Sequence, residues 1–334
     1  MTELRPIQPT PVGALRFNTD NAKLEYFDGN QYVNITTDSP EQNTGGTRGL
    51  IMGGITSGRT NLVNFISIQT TGNTTDFGDL VQTASQGAGL GSRTRAVAGG
   101  GTPSSPGGTN NIDFATIAST GNFADFGDFI TTGFARVAVS NSTRGVFFGR
   151  AVAPSAYNTI EFITIAATGN SIDFGDCSVG RQEAGAAGNP TRGIVTGGSY
   201  PDASIDYVTL STTGNAADFG DCTTNIWNTR GGNCGNAVRG LMAGGGSGAS
   251  NAIQFVTIST LGNTVDFGDR TVTKSQITHM SSTTRAVFAG AGEGDTDVID
   301  YVEIMSTGNA IDFGNLSEDY GYAAGATNGH GGLG

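Results

Sequence analysis

The chain has 334 residues, of which 54 are glycine and only 14% are charged. Short runs of Val, Ile, Phe and Tyr recur between the glycines, which indicates a globular chain rich in turns rather than a disordered one. There is no Gly-X-Y period, which excludes collagen. A net charge of −12 excludes phosphate-rich nucleic acid as a natural partner, because such binding needs clustered Lys and Arg.

The segment Met1–Arg5 lacks the apolar core of a signal peptide, and no apolar run reaches the roughly 18 residues of a membrane helix. We therefore expect a protein that is made in a cytoplasm and has no membrane span. The cysteines, Cys177, Cys222 and Cys234, form no CxxC pair and no even framework. We expect them to be free thiols.

Residues 11–35 predict a compact β-hairpin module. Strand-like runs alternate around Asn and Asp-Gly turns, which tolerate the backbone angles of tight hairpins. The runs include Gly13-Ala-Leu-Arg16-Phe17-Asn18-Thr and Leu24-Glu-Tyr-Phe-Asp-Gly29, and the aromatic Tyr32 follows. We assign residues 1–40 to this module and residues 41–334 to a second domain.

The module resembles a short segment of tailed-bacteriophage virion fibres, in which the position of Tyr32 is usually Trp. The resemblance implies a fibre or appendage protein that docks to other virion proteins through this module. Its apolar strip is too large for about 25 residues to bury alone. The expected docking residues are Arg16, Phe17, Tyr26, Phe27 and Tyr32.

The rest of the chain is dominated by a phrase of the type Thr-Gly-Asn-x-x-Asp-Phe-Gly-Asp. It occurs six times at intervals of 45 to 49 residues, with its first glycine at Gly72, Gly121, Gly169, Gly214, Gly262 and Gly308. A period of this length indicates units that bury their apolar faces by stacking on each other. A residue that recurs six times is expected to be structural rather than catalytic.

Each repeat predicts four antiparallel strands. A strand that begins with a repeated arginine and ends in glycine is followed by an alternating run with a central aromatic residue, such as Ile205–Leu210. A turn at Thr-Gly-Asn leads to a short strand at Asp-Phe-Gly-Asp. A small-residue strand such as Glu183–Gly188 completes the unit, and its lack of bulk suits a crowded position near a central axis.

Six such units predict an all-β, six-bladed β-propeller over residues 41–334. The layout resembles kelch-type propellers, and the Asp-Phe-Gly-Asp phrase resembles repeats in virion structural proteins of marine cyanobacterial phages. The first repeat lacks its small-residue strand, whereas an additional one follows the last repeat at Gly321–Thr327. We expect that strand to pair beside Arg48 and to close the ring, which removes exposed edges.

The repeated arginines and the first aspartates of the phrase suggest internal bidentate pairs, which guanidinium geometry favours. Calcium binding by the carboxylates is the alternative. A kinase-like role for Asp-Phe-Gly is rejected, since the other kinase motifs are absent from the sequence. The residues concerned are Arg48, Arg95, Arg144, Arg192, Arg239 and Arg285, with Asp76, Asp125, Asp173, Asp218, Asp266 and Asp312.

The loops after the arginine strands differ in every repeat, and loops on a rigid framework are where binding residues gather. The candidate receptor-binding residues are Arg59, Tyr157, Tyr200 and Asp202. Neither His279 nor His330 has a metal-binding partner at ligand spacing in the sequence.

These patterns favour a non-enzymatic virion protein without a cofactor, whose propeller is displayed for binding to a host surface protein or glycan. By resemblance to phage fibres, a homo-oligomer such as a trimer is plausible. The alternative is a tailspike-like depolymerase, which needs two facing carboxylates; its candidate acids are Asp202, Glu293 and Asp295. A host protein-interaction propeller is a third hypothesis, which the N-terminal module disfavours.

Overall fold

The computed structural model describes residues 10–18, 23–34, 47–103, 107–198, 202–224, 230–245, 250–292 and 296–333. The chain divides into two compact units, residues 1–44 and 45–334. Their described parts consist of β-strands, turns and a 3-10 turn at Gly331–Leu333, so the predicted all-β class is confirmed. In these parts no helix is long and apolar enough to cross a membrane.

The first unit contains an antiparallel sheet of three strands, β1 (Leu15–Asn18), β2 (Lys23–Phe27) and β3 (Tyr32–Asn34). The turn between β2 and β3 is fixed by Asp28, whose carboxylate accepts hydrogen bonds from the backbone N–H groups of Asn30 and Gln31, both at 2.8 Å. Gly29 has a φ of +108°, a conformation that glycine adopts readily.

The second unit contains four antiparallel sheets of four strands. Sheet one comprises β27 (Ala324–Thr327), β4 (Arg48–Met52), β5 (Leu62–Ser67) and β6 (Thr75–Asp79). Sheet two comprises β7 (Ala88–Gly91), β8 (Arg95–Gly99), β9 (Thr109–Thr116) and β10 (Ala124–Gly133). Sheet three comprises β11 (Val137–Ser140), β12 (Arg144–Val152), β13 (Ser155–Thr164) and β14 (Ile172–Arg181). Sheet four comprises β15 (Gly185–Gly188), β16 (Arg192–Thr196), β17 (Ser204–Thr209) and β18 (Ala217–Asp221).

The fifth repeat departs from the predicted four strands. Sheet five has only β20 (Arg239–Ala243), β21 (Ser250–Thr257) and β22 (Val265–Lys274). Sheet six has β23 (Thr278–Ser281), β24 (Arg285–Ala289), β25 (Val298–Glu303) and β26 (Ile311–Asn315). A short strand, β19 (Arg230–Gly231), joins sheet six by parallel pairing with β23. Its sequence, Arg230-Gly-Gly-Asn-Cys-Gly-Asn236, has little bulk or β-branching to sustain a regular strand beside β20.

The predicted pairing of a C-terminal strand with the Arg48 strand is confirmed. β27 pairs antiparallel with β4, so that Ala324 lies opposite Met52 and Thr327 opposite Gly49. The first sheet is therefore completed by residues from the far end of the chain.

The small-residue strands β27, β7, β11, β15 and β23 lie against one another. Their glycines allow this proximity: a Cβ on Gly89 would lie 2.3 Å from the carbonyl oxygen of Gly325, and one on Gly325 would lie 2.3 Å from that of His279. Such distances exclude a side chain at these two positions, which explains why they are occupied by glycine.

Six apolar core clusters occupy the described part of the second unit, each between two neighbouring sheets. Leu50 of sheet one packs with Ala96 of sheet two, for example, and the corresponding cluster between sheets six and one contains Val287 and Ile51. The alternating runs supply these clusters, because every second side chain of a strand points to the same face.

Candidate functional site

The repeated phrase joins each copy to the next. Between the third and fourth copies, the N–H of Gly214 donates to the carbonyl of Phe174 at 2.7 Å, and the side-chain oxygen of Asn215 accepts the N–H of Asp176 at 3.0 Å. Gly175 has a φ of +145°, and a Cβ there would lie 2.5 Å from the carbonyl of Gly214. Thr-Gly-Asn is thus a clasp on the Asp-Phe-Gly-Asp strand of the preceding copy.

The same clasp connects the last copy to the first. The N–H of Gly72 donates to the carbonyl of Phe313 at 2.8 Å, and the side-chain oxygen of Asn73 accepts the N–H of Asn315 at 3.0 Å. Only the backbone of residue 315 is used in this clasp. This explains why asparagine can replace the usual aspartate there.

The predicted arginine–aspartate pairs are wrong. Arg192 stacks on the ring of Tyr207, with 4.5 Å from the guanidinium carbon to the ring centre, and donates to the carbonyl of Ile258 in the next copy at 2.7 Å. Its presumed partner, Asp218, is exposed on the outer strand. An exposed carboxylate gains little from an ion pair, whereas a stacked guanidinium gains from both the ring and the buried carbonyl.

The other repeated arginines make equivalent contacts. Arg48, Arg95, Arg144, Arg239 and Arg285 stack on the rings of Phe65, Phe114, Phe162, Phe255 and Tyr301 at 4.5 to 4.6 Å. Their acceptors in neighbouring copies are the carbonyls of Ile117, Ile165, Leu210, Ile304 and, for Arg285, Ile68 and Gln69. The aspartates Asp76, Asp125, Asp173, Asp266 and Asp312 are likewise exposed.

A different polar position lies buried between the sheets. It is the second residue of the alternating run, which is Asn64, Asp113, Glu161, Asp206, Gln254 or Asp300. In five of these cases the side chain accepts a backbone N–H from the preceding copy, for example Ser178 to Asp206 at 2.9 Å. Asn64 instead donates to Ser317 and Tyr320. We call this residue the cleft polar residue.

Three single-copy arginines pair with cleft polar residues, and sequence analysis missed them. Arg136 lies 3.6 Å from Glu161, Arg181 2.9 Å from Asp206, and Arg270 3.0 Å from Asp300. Burial lowers the pKa of Arg136 to about 10, and the charge of Glu161 opposes that shift. The guanidinium and carboxylate therefore neutralise each other within the protein, where an unpaired charge is costly.

The candidate loop residues occupy different environments. Arg59 is exposed and donates to the hydroxyl of Ser85 at 3.2 Å. Tyr157 lies within β13 and is 38% exposed, although Arg150 covers one face of its ring at 3.8 Å. Asp202 accepts hydrogen bonds from Ser204 and lies 3.7 Å from Arg181, so it supports the buried arginine. Tyr200, Glu293 and Asp295 lie outside the described residues.

An open groove of about 200 Å³ near the fifth phrase was not predicted. It is lined by apolar side chains that include Phe219, Phe255, Leu261 and Val265. Leu261 is 58% exposed and occupies the position that is threonine in the other five copies. The sequence did contain a signal for this groove, because Leu261 is apolar at a position where the other copies have a polar residue.

The first unit exposes an apolar face formed by Leu15, Phe17 and Tyr26, which we call the N-terminal apolar face. Leu15 lies opposite Tyr26 in the sheet, and the exposed fractions of the three are 64, 62 and 40%. The other predicted docking residues belong to the opposite face. There Arg16 bonds Glu25 at 2.8 Å and stacks on Tyr32 at 3.6 Å, and the half-buried rings of Phe27 and Tyr32 lie 5.3 Å apart.

The C-terminal tail is buried, and His330 anchors it. Its Nε2 lies 2.9 Å from the carbonyl of Gly91 and 3.1 Å from the hydroxyl of Ser140, and its Nδ1 accepts the side-chain amide of Asn233 at 2.8 Å. These contacts reach three different repeats. Burial lowers the pKa of His330 to about 4, so the imidazole is neutral at pH 7.

The three cysteines are buried and none of them forms a disulfide, as predicted. Burial raises the pKa of Cys177 to about 12, which makes its thiol unreactive at neutral pH. Within the described ranges, no three His, Cys, Asp or Glu side chains are grouped so that they could hold a metal ion.

Compared with known proteins, the chain matches no protein-family model, and no curated protein sequence matches it.

Proposed function

We propose that the second unit is a six-bladed β-propeller and that the protein is a non-enzymatic structural component of a phage virion. The propeller is supported by the clasp that joins every copy to its neighbour, including the last to the first. It is also supported by the core cluster between sheets six and one and by the chain of contacts among the small-residue strands. In this arrangement those strands surround the central axis and the phrase lies at the outer rim.

The role as a display framework rests on one observation. The repeated arginines and the repeated Gly-Asn pair make contacts between copies, whereas the side chains that vary between copies include exposed ones such as Arg59, Tyr157 and Leu261. A rigid ring with variable surface positions is suited to binding a host surface protein or glycan. Aromatic and apolar side chains with neighbouring polar groups are the usual composition of such sites.

The N-terminal unit is proposed to dock onto the particle. Its apolar face of Leu15, Phe17 and Tyr26 is exposed, although a small soluble module normally buries such side chains. A virion protein that covers this face would remove it from water. The same face can also hold copies of the chain together as an oligomer, such as the trimers common among fibres.

The assignment is tested by looking for the protein in purified phage particles by mass spectrometry, with immunogold labelling to locate it. We expect peptides of this chain at a fixed ratio to the capsid protein and gold on an appendage. If an infected host produces the chain but the particles released by lysis do not contain it, the assignment is contradicted.

The docking role is tested with Phe17→Ser, which removes an aromatic ring from the apolar face and leaves the sequence of the second unit unchanged. We expect lower incorporation into particles, while the melting temperature of the second unit is unchanged. Ile311→Ser is the matched control, because Ile311 is similarly exposed, at 57%, but lies on the second unit. Equal incorporation of Phe17→Ser and the wild type would refute this role.

The non-enzymatic assignment is tested separately by incubating the protein with host surface polysaccharide. We expect binding without release of oligosaccharides. Release of reducing ends that grows with time would instead establish the depolymerase alternative.

A further inference from the structure

In the clefts between neighbouring sheets, the partners of the cleft polar residue follow a rule: a carboxylate is paired with an arginine, and an amide is paired with hydroxyl groups. Where the cleft polar residue is Glu161, Asp206 or Asp300, an arginine lies beside it. Where it is an amide, its partners are hydroxyl groups: Asn64 bonds Ser317 and Tyr320, and Gln254 bonds Thr223, Thr224 and Thr264. In these five clefts the partners of the cleft polar residue thus match its charge.

Asp113, between sheets one and two, breaks this rule. It is only 4% exposed, and no cationic side chain among the described residues pairs with it. It accepts two long hydrogen bonds, from the N–H of Val81 at 3.2 Å and from the side chain of Asn111 at 3.3 Å. Asp206 and Asp300 each accept a serine or threonine hydroxyl in addition to an arginine. In the cleft of Asp113, the residue that corresponds to this serine or threonine is Val81, which has no hydroxyl.

The space that arginine fills in the other clefts is a cavity beside Asp113. The three arginines come from three different positions in the repeat, and the residues at those positions in this cleft are small or apolar. Arg270 corresponds to Leu80, Arg181 to Ala84 and Arg136 to Gly87. Leu80, Ala84 and Gly87 all line a cavity of about 10 Å³ together with Gln82, Asn111 and Asp113.

A backbone oxygen also faces this space. In the clefts of Glu161 and Asp206, the guanidinium donates to the carbonyls of Gly149 and Gly197. The corresponding residue here is Gly100, which lines the cavity. Its carbonyl oxygen lies 3.5 Å from the place where a Cβ of Gly87 would stand. A carboxylate and a carbonyl that bind arginine elsewhere are therefore present without it.

We infer that the cavity beside Asp113 binds a monovalent cation, such as K⁺ or NH₄⁺, in place of the missing guanidinium. The volume admits one particle of the size of water, which K⁺ and NH₄⁺ resemble. A single carboxylate balances one positive charge, whereas Ca²⁺ and Mg²⁺ require more charged oxygen ligands. The bound ion would neutralise the buried carboxylate and join sheets one and two.

The competing outcome is that Asp113 holds a proton or meets only water. Burial raises its pKa, so protonation is the alternative way to remove the charge. The two outcomes differ in their dependence on salt identity, because a proton or a water molecule does not distinguish K⁺ from the larger tetramethylammonium ion.

The test is thermal unfolding of the full chain at constant ionic strength, with KCl or NH₄Cl replacing tetramethylammonium chloride. We expect the melting temperature to rise with the K⁺ or NH₄⁺ concentration. At a free cation concentration ten times the dissociation constant, the folded-to-unfolded ratio should increase about elevenfold. Identical melting in all three salts would overturn the inference.

Two variants remove the effect in opposite ways. Asp113→Asn removes the charge, and Gly87→Arg supplies the guanidinium found in the third sheet's cleft. The space at Gly87 allows a side chain, since its nearest atoms would be 3.5 Å from a Cβ and its φ is not in the left-handed region. Both variants should lose the difference between K⁺ and tetramethylammonium, whereas the exposed control Asp218→Asn should keep it. Persistence of the difference in Gly87→Arg would place the ion elsewhere and refute the site.

A crystal soaked in a thallous salt gives an independent reading, because Tl⁺ replaces K⁺ and scatters anomalously. We expect an anomalous peak beside Asp113. Density at that place without anomalous signal would show that only water is bound.

Discussion

Replacement of Gly220 by alanine tests whether the repeated phrase holds neighbouring copies together. Gly220 has a φ of +147°, and an alanine Cβ would lie 2.5 Å from the carbonyl oxygen of Gly262 in the next copy. Gly214 is a matched control in the same copy: its φ is +154°, but no atom lies within 4 Å of its Cβ position. Both glycines belong to clasps, since the Gly214 N–H donates to Phe174 of the preceding copy, but only at Gly220 would an added Cβ collide with a neighbouring copy.

Both substitutions force alanine into a backbone region that it rarely adopts, at a cost of about 1–3 kcal/mol. Only Gly220→Ala also places a methyl group against a neighbouring backbone, which adds about 1–3 kcal/mol of overpacking. We expect the free energy of unfolding in urea to be lower for Gly220→Ala than for Gly214→Ala by that second amount. Equal losses in the two variants, with equal urea dependence, would refute the clasp.

Three further outcomes follow from the contacts between copies. Arg192→Gln should lower the unfolding free energy by about 1–3 kcal/mol, since it loses a charged hydrogen bond and the stacking on an aromatic ring. Asp218→Asn should change that free energy by less than about 0.5 kcal/mol. Equal effects of the two variants in urea titrations would instead support an arginine–aspartate pair. Arg181→Met leaves the Asp206 carboxylate buried without its cation and should lower the free energy of unfolding by about 3–5 kcal/mol. Adding Asp206→Asn to this variant should restore part of that free energy. A decrease below about 1 kcal/mol in Arg181→Met would contradict the ion pair. His330 has a folded pKa of about 4, below the usual 6.5, so its contribution to stability is complete above pH 6.5 and is lost as the pH falls towards 4. Calorimetry should therefore show a smaller decline in melting temperature between pH 6.5 and 4 for His330→Gln than for the wild type, and identical declines would contradict the buried neutral imidazole.

The local patterns that repeat were sufficient to predict the strands. Alternation in runs such as Ile205–Leu210 reflects one buried face, and the additional small-residue segment at 321–327 indicated the pairing of β27 with β4. These features depend on side-chain periodicity and on chain order, both of which are visible in a sequence. The irregular fifth copy was not predicted, because the repeat pattern assigns the glycine-rich segment at 230–236 to a fourth strand like those of the other copies.

The partners of the charged residues could be identified only from the structure. Arg192 and Asp218 recur in a fixed register, which suggested a pair, but register does not reveal that one residue is stacked between copies and the other faces water. The true ion pairs were hidden for a related reason. Arg136, Arg181 and Arg270 occupy three different positions of the repeat, and only the fold brings each to an equivalent cleft.

The N-terminal apolar face was predicted in part. Phe17 and Tyr26 are exposed as expected of docking residues, and Leu15 joins them because it lies opposite Tyr26. Arg16 and Tyr32 stack on the opposite face, since strand residues alternate in direction. That the exposed face docks onto a virion protein stays a prediction for the incorporation assay.

The central claim is that the six copies form a closed ring, and amide hydrogen exchange at Gly72 tests it most directly. The Gly72 N–H donates to Phe313, which lies at the other end of the repeat array, so no local structure in the first copy can protect it. Gly214, whose N–H makes the equivalent bond to Phe174 inside the array, provides the reference. We predict protection of Gly72 equal to that of Gly214. Exchange of Gly72 at the rate of an open turn, while Gly214 stays protected, would show that the ring is not closed.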